Sequence, residues 1–389
     1  MAATNVLFPA LTICNALAII SVLLPISWHW KAKNTGTLIY IGWIVVANLN
    51  VMINTIVWRG TWEDLAPAWC TISAKIIIGQ SVGLTGASLC INRKLYNIAT
   101  IQSVSITRES VSSVVGSTCA CTHHGIQKRR NMIIDICIGV LLPIVVMALH
   151  YIVQPTKYNI VENVGCWPNT HNSLVAVPTV HMWPILISCV SFIYCSLSIR
   201  AFLKARQQFN QVLNNSGTGI NMSRYFRLMA LASEEMLFSI PFAAYLLKQN
   251  LTYLHQWPWV SWEDTHMDYG IKIYPTPWVL LEATPGYNSV MVSLWVLPAG
   301  GFLFFIWFGL GGEAFAAYKA MFYKVVGVFG IKLKPKVAPA SRWQNQLVSN
   351  TSSVPTRDYG RSTNLPELDE VEEKRSTNDD LEAGRTYAA

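Results

Sequence analysis

Charge is what this chain has least of. Charged residues make up 13% of its 389 residues and apolar residues 52%. That charge content is about half the usual share for a soluble globular protein, so a water-solvated single domain is excluded. Histidine is also sparse: His29, His150, His171, His181, His255 and His266 lie far apart. That dispersal argues against the histidine-clustered metal sites of membrane hydroxylases and desaturases, and neither a metal nor any other cofactor is expected. Cys119 and Cys121 beside His123 and His124 come nearest to a ligand spacing, but in a Ser-rich stretch they read as solvated loop. The last apolar stretch, 286–309, has no lysine, which excludes a retinal Schiff-base pump. The early and late apolar stretches show no self-similarity, so the repeated three-helix build of seven-span carriers is missing. A transporter of a small solute remains the alternative. No basic start precedes the first apolar stretch, so a cleaved signal peptide is not expected, and Thr386-Tyr387-Ala388-Ala389 offers no prenylation cysteine.

What the chain does have is seven long apolar stretches, at about 6–28, 37–58, 67–92, 131–153, 176–199, 225–247 and 286–309. Each is long enough to cross a hydrocarbon core of roughly 30 Å as a helix rising about 1.5 Å per residue. The predicted fold class is an all-α membrane protein, a seven-transmembrane helix bundle. The loops after the first, third and fifth stretches, with their flanks, carry Lys31, Lys33, Arg93, Lys94, Arg108, Lys128, Arg129, Arg130, Arg200, Lys204, Arg206, Arg224 and Arg227, against Glu109. The opposite loops carry Arg59, Lys157, Lys248 and Lys272 beside Glu63, Asp64, Glu162, Glu263, Asp264, Asp268 and Glu282. The positive-inside bias places the amino terminus outside and the carboxyl terminus in the cytosol. The net charge of +8 therefore serves topology, anionic membrane lipids and cytosolic partners; nucleic acid is not expected.

Residues 1–310 form the predicted bundle, 311–334 a juxtamembrane amphipathic helix, and 335–389 a polar, disordered cytosolic tail. About five residues precede the first stretch, so recognition is expected at loops and helix mouths. Proline at 25, 143, 184, 241 and 298 marks kinks. Gly79 and Gly83, with Gly86 beyond, form a small-residue stripe on the third stretch, for which packing inside one bundle is favoured over a homodimer seam.

The third stretch ends Leu89-Cys90-Ile91-Asn92-Arg93-Lys94-Leu95-Tyr96-Asn97-Ile98-Ala99. This string resembles the third-helix signature of the fungal receptors for a-factor-type lipopeptide mating pheromones, the fungal class D of G-protein-coupled receptors. Gly165-Cys166-Trp167-Pro168, Arg224-Tyr225-Phe226-Arg227-Leu228-Met229-Ala230 and Pro241 match in kind, so the resemblance spans the bundle and leaves out the tail. The acidic-Arg-aromatic triplet of the large animal receptor class is absent, with Asn92 in the acidic place, so that class's ionic lock is not carried over. The resemblance implies a plasma-membrane receptor, not an enzyme. Its implied ligand is an extracellular farnesylated peptide with a carboxyl-terminal methyl ester, and its partner a heterotrimeric G protein.

Site residues fall into three sets. Asn92, Arg93, Lys94, Tyr96, Arg224 and Arg227 would form a basic cleft for the carboxyl-terminal helix of a G-protein α subunit. The outer rim, with Trp62, Glu63, Asp64, Trp69, Glu162, Trp167, Glu263, Asp264, Asp268, Tyr274, Trp278 and Glu282, supplies candidate ligand contacts. Lys75, Glu234 and Glu235 are charges within spans, which usually face the bundle interior, and Lys75 is a candidate ligand contact as well. One of the two glutamates is expected to pair with Lys75, or with a neighbour such as Asn48 or Asn50, as a polar switch; Asp135 is expected to meet Lys128-Arg129-Arg130. Cys70 and Cys166 both face the oxidising side and are the pair placed to form a disulfide.

Overall fold

The computed structural model describes residues 2–31, 33–109, 129–212, 222–252, 258–310, 318 and 319. Side chains at 2–6, at 101–109 and over much of 202–236, among them Arg224, Glu234 and Glu235, lie outside the described set. So do the Cys119–His124 segment, nearly all of 311–334, and 335–389. The chain divides into units Met1–Val325 and Val326–Ala389, and the described residues all belong to the first.

The elements are α1 (Ala2–Leu23), α2 (Ile26–Lys31), α3 (Thr35–Val57) and α4 (Pro67–Glu109). Then come α5 (Arg129–Val153), β1 (Asn159–Val161), β2 (Gly165–Trp167), α6 (Met182–Val212), α7 (Met222–Thr252), α8 (Trp262–His266), β3 (Pro275–Thr276), α9 (Trp278–Glu282) and α10 (Tyr287–Gly309). A long helix thus stands at each of the seven apolar stretches. Five have the length and apolar composition to cross a membrane: α3, α5, α10 and the segments Pro67–Thr100 and Val177–Ala201. The apolar part of α1, Leu7–Leu23, is shorter, and α7 carries Glu234 and Glu235 near its middle.

Side chains sort by face as a bilayer demands. On α1, Leu11, Asn15, Ala18 and Val22 are buried at steps of four, three and four, while Ile13, Leu17 and Ile20 point outward. The outward residues are apolar, and polar Asn15, Asn48, Asn50, Asn54 and Asn92 lie inside. That is the reverse of a water-soluble helix, in which the exposed face is polar. Among the described residues apolar side chains gather in four clusters, two of which mark the ends of the bundle. One gathers Tyr40, Ile44, Ile91, Leu95, Phe304 and Phe308 toward the Arg93 end of α4. The other gathers Phe8, Leu11, Val51, Val161, Trp278 and Leu294 toward the Cys70 end.

The glycine stripe of α4 is spent on close approach inside this bundle. A Cβ at Gly83 would overlap the Trp43 indole, and one at Gly86 would lie 2.8 Å from the Ile138 carbonyl oxygen. The same indole resolves a backbone problem. Pro143 has no N–H to give the Gly139 carbonyl four residues back. Residues Cys137–Leu141 widen into a π turn there, and Trp43 Nε1 donates to the Gly139 oxygen at 2.8 Å. One side chain thereby ties α3, α4 and α5 together.

Candidate functional site

At the Cys70 end a small sheet closes over the helices. Its order is β2-β1-β3, with β1 antiparallel to β2 and parallel to β3. The β1–β2 turn is held by Asn163, which takes a positive φ of 64°. Its amide donates to the Trp58 carbonyl at 3.0 Å, and its Oδ1 accepts from the Gly60 amide at 2.9 Å. Cys166, in β2, is disulfide-bonded to Cys70 near the start of α4, as the sequence led one to expect. Gly165 beside it has φ of 86°, and a Cβ there would sit 2.7 Å from the Asn54 Cβ. Asn54 fastens the underside: Oδ1 accepts from the Trp69 indole at 2.8 Å, and Nδ2 donates to Ser73 Oγ at 2.9 Å and to the Cys166 carbonyl at 3.5 Å.

Much of the predicted rim works for this lid. Glu162 Oε2 accepts from the Trp278 amide at 2.8 Å, capping α9. Trp278 itself is buried, edge-on to Phe8 at 4.9 Å and near Tyr287. Trp69 is held by Asn54. Asp64 accepts from the Tyr158 hydroxyl at 3.0 Å, and burial together with that carboxylate raises the Tyr158 pKa. Tyr274 donates to Asp268 at 2.7 Å, and Lys272 pairs with the same carboxylate. Those hydrogen bonds, from Lys272 first and Tyr274 second, lower the Asp268 pKa. Trp62, Glu63, Glu263, Asp264 and Glu282 are exposed, and Trp167 is half-buried. Trp262 stacks on His266 and meets Tyr151, which also packs on Tyr269.

Lys75 has partners that the sequence did not name. Its ammonium donates to Gln154 Oε1 at 2.6 Å, His150 Nδ1 at 3.1 Å and the Met147 carbonyl at 3.3 Å. These partners are neutral groups on α5 and just after it; the side chains of Glu234 and Glu235, the carboxylates expected near Lys75, lie outside the described residues. An ammonium only donates, so His150 Nδ1 accepts, its proton resides on Nε2, and Thr170 Oγ at 2.9 Å takes that hydrogen bond.

The Arg93 end brings a correction. Asp135 pairs with Arg93 rather than with Arg129 or Arg130: Arg93 Nη2 reaches its carboxylate at 2.7 Å and the Asn131 carbonyl at 2.9 Å, and Lys128 lies outside the described residues. Asn92 donates to Ser191 Oγ at 2.9 Å, Tyr96 meets Tyr194 edge-on, and Lys94 donates to Asn34 Oδ1 at 3.0 Å. The signature string therefore touches α5, α6 and the turn before α3. Arg227 is half-buried, and the Arg224 side chain lies outside the described residues.

Under the lid a narrow cleft of about 10 Å³ lies between α3, α4, β2 and α10, lined by Asn54, Ile77, Gln80, Val164, Trp167, Ser293 and Leu294 among others. Sequence reasoning found Trp167 and missed Asn54, Gln80 and Ser293. Gln80 was open to the argument that singled out Lys75, since it too is a polar residue within an apolar span.

Helices with polar interiors and apolar exteriors, closed at one end by a disulfide-pinned hairpin above a cleft, define a multi-pass membrane protein. The family model described as Pheromone A receptor matches residues 10–327, and the chain belongs to that family. It is 36% identical over 341 residues to the Pheromone B alpha 3 receptor of Schizophyllum commune, covering 87% of this chain and 51% of that protein. It is 32% identical to Pheromone receptor 1 of Mycosarcoma maydis, over 83% of this chain and 85% of that one. It is 25% identical to the Pheromone a factor receptor of Saccharomyces cerevisiae, over 78% of this chain and 59% of that one. The chain spans about half the length of the Schizophyllum relatives it matches. No solved structure matches it.

Proposed function

We propose that this chain is a plasma-membrane receptor that binds an extracellular farnesylated peptide pheromone and activates a heterotrimeric G protein. The observation that carries the reading is the family match, which runs through the bundle from residue 10 to 327 and includes both the lid and the Arg93 end. The lid end faces outward in this reading and the Arg93 end inward, following the charge bias of the loops. The lipid chain supplies affinity, about 0.8 kcal/mol per buried CH₂, and reaches the bundle through the bilayer, while the peptide rests under the hairpin. On the inner side Arg93 engages the α subunit's carboxyl-terminal helix after leaving Asp135; Lys94, Arg224 and Arg227 add to the basic surface.

The test is a screen of synthetic lipopeptides on reporter cells carrying this chain, followed by nucleotide exchange on the G protein in isolated membranes. A farnesylated peptide should activate it, and the same peptide without the lipid should be much weaker. A surface-expressed chain that answers no lipopeptide, or that moves a small solute across vesicles, would overturn the reading.

A further inference from the structure

Gln80 lies on the wall of the cleft, and its side-chain oxygen is buried with no hydrogen-bond partner among the described residues. Such a group stays desolvated without compensation while it is unpaired. Its polar neighbours on the wall are otherwise engaged. The Asn54 amide donates to Ser73 and Cys166, and Ser293 Oγ donates to the Ser289 carbonyl at 2.7 Å. A further acceptor belongs to the wall residue Leu294, because Pro298 has no N–H to give its carbonyl. The described lining holds no acid and no base. What remains open there is the uncharged Gln80 amide, its Oε1 buried and unpaired among the described residues and flanked by Ile77, Val164 and Leu294.

From this we infer that the cleft reads the peptide part of the ligand, with Gln80 Oε1 accepting a hydrogen bond from one neutral amide N–H of the peptide. The inference rests on the reading of the chain as a peptide receptor and adds the subsite and its chemistry. A carboxylate or an ester offers no donor to Gln80 Oε1, and a carboxylate would also enter without a counter-charge. An ammonium would enter a desolvated site without a counter-charge. An amide N–H pairs the orphan oxygen and places its neighbouring apolar atoms on the apolar wall. The peptide end of the ligand is then read below the hairpin rather than on the exposed rim.

The full chain in reporter cells, with an activating lipopeptide from the screen, decides this. Gln80→Met keeps the length of the side chain and removes the acceptor; Gln80→Leu serves as a second variant. Each should raise the half-maximal peptide concentration about tenfold, the equivalent of one hydrogen bond. Because the oxygen is unpaired without ligand, surface expression and melting temperature should stay equal or rise. In a series of peptides N-methylated one amide at a time, one analogue should weaken the wild-type response about tenfold and weaken Gln80→Met no further.

Wild-type responses from both variants would overturn the inference. So would a fall in melting temperature that accounts for the lost response, since Gln80 would then serve the fold. Full additivity between Gln80→Met and every N-methyl analogue would mean the oxygen serves water. Failure of every lipopeptide on the wild-type chain sinks the functional reading itself, whereas a normal wild-type response with unaffected variants sinks the Gln80 subsite alone.

Discussion

Removing Asp135 alone should harm this protein more than removing Asp135 and Arg93 together. The Arg93–Asp135 contact is 2.7 Å long, and the two side chains are 13% and 7% exposed. That burial decides which energetic regime applies. An exposed ion pair contributes about 0–1 kcal/mol, whereas stranding one member of a buried pair costs about 3–5 kcal/mol. Asp135→Ala leaves a guanidinium whose Nε is already buried without a partner among the described residues, and its remaining hydrogen bond there goes to the Asn131 carbonyl. The expected loss is about 3–5 kcal/mol. Replacing both residues by apolar ones of similar size, Arg93→Met with Asp135→Leu, should be near neutral or stabilising, because neither charge is then left in the bundle.

The measurement is thermal stability of the detergent-extracted receptor across the four-member cycle, with the coupling taken from the non-additive part. In membranes, Asp135→Asn keeps an oxygen for Arg93 but no charge, and in the proposed coupling scheme it should raise ligand-independent nucleotide exchange. An Asp135→Ala receptor within about 1 kcal/mol of wild type, or a double variant as unstable as the summed singles, would refute the argument. The pair would then behave as a solvated contact.

Two further outcomes are expected. Gly83→Ala should destabilise the bundle by about 1–3 kcal/mol through overpacking against the Trp43 indole, while Trp43→Phe should lose roughly the 1 kcal/mol of the bond to the Gly139 carbonyl; melting curves of both that overlay the wild type would remove Trp43 as the tie between α3, α4 and α5. Trp278→Ala should cost about 3–5 kcal/mol as a core truncation, and Glu162→Ala about 0.5–2 kcal/mol as a lost cap; normal stability with a lost pheromone response, in either variant, would return that residue to the ligand.

The sequence showed those features whose cause is local or one-dimensional. A span is a run of apolar residues, so all seven long helices could be read, as could Cys70 and Cys166 by their place in the topology. Gly79, Gly83 and Gly86 were legible as a packing stripe because small residues admit a neighbour whichever one it is. Partners could not be read where they come from distant chain segments. Asp135 lies 42 residues beyond Arg93, with a basic run right beside it, and a one-dimensional view prefers the near cation. Lys75 was matched to the carboxylates of Glu234 and Glu235, whose side chains lie outside the described residues, while the carbonyl, imidazole and amide that converge on it leave no mark in a sequence. The sheet was missed for its length: strands of three, three and two residues show no alternation that a periodicity could detect.

The engagement of the rim changes how recognition has to be tested. Glu162 caps α9, Trp278 fills the core, Trp69 holds Asn54 and Tyr274 holds Asp268, so replacing any of them disturbs the lid. A lost response after such a replacement, read without the stability, says nothing about ligand contact, because a receptor with a loosened mouth fails in the same way. Lipid affinity does not discriminate either, since every lipidated pheromone brings a similar chain and only side-chain contacts separate one peptide from another. The informative position is one where fold and recognition respond with opposite signs. A paired polar group stabilises both states, and its loss weakens both. An acceptor without a protein partner in the free receptor adds nothing to the fold and strengthens the complex, so its removal should leave the melting temperature equal or higher while lowering the response. Gln80 has that character, and Trp69, Glu162 and Tyr274, already hydrogen-bonded, do not.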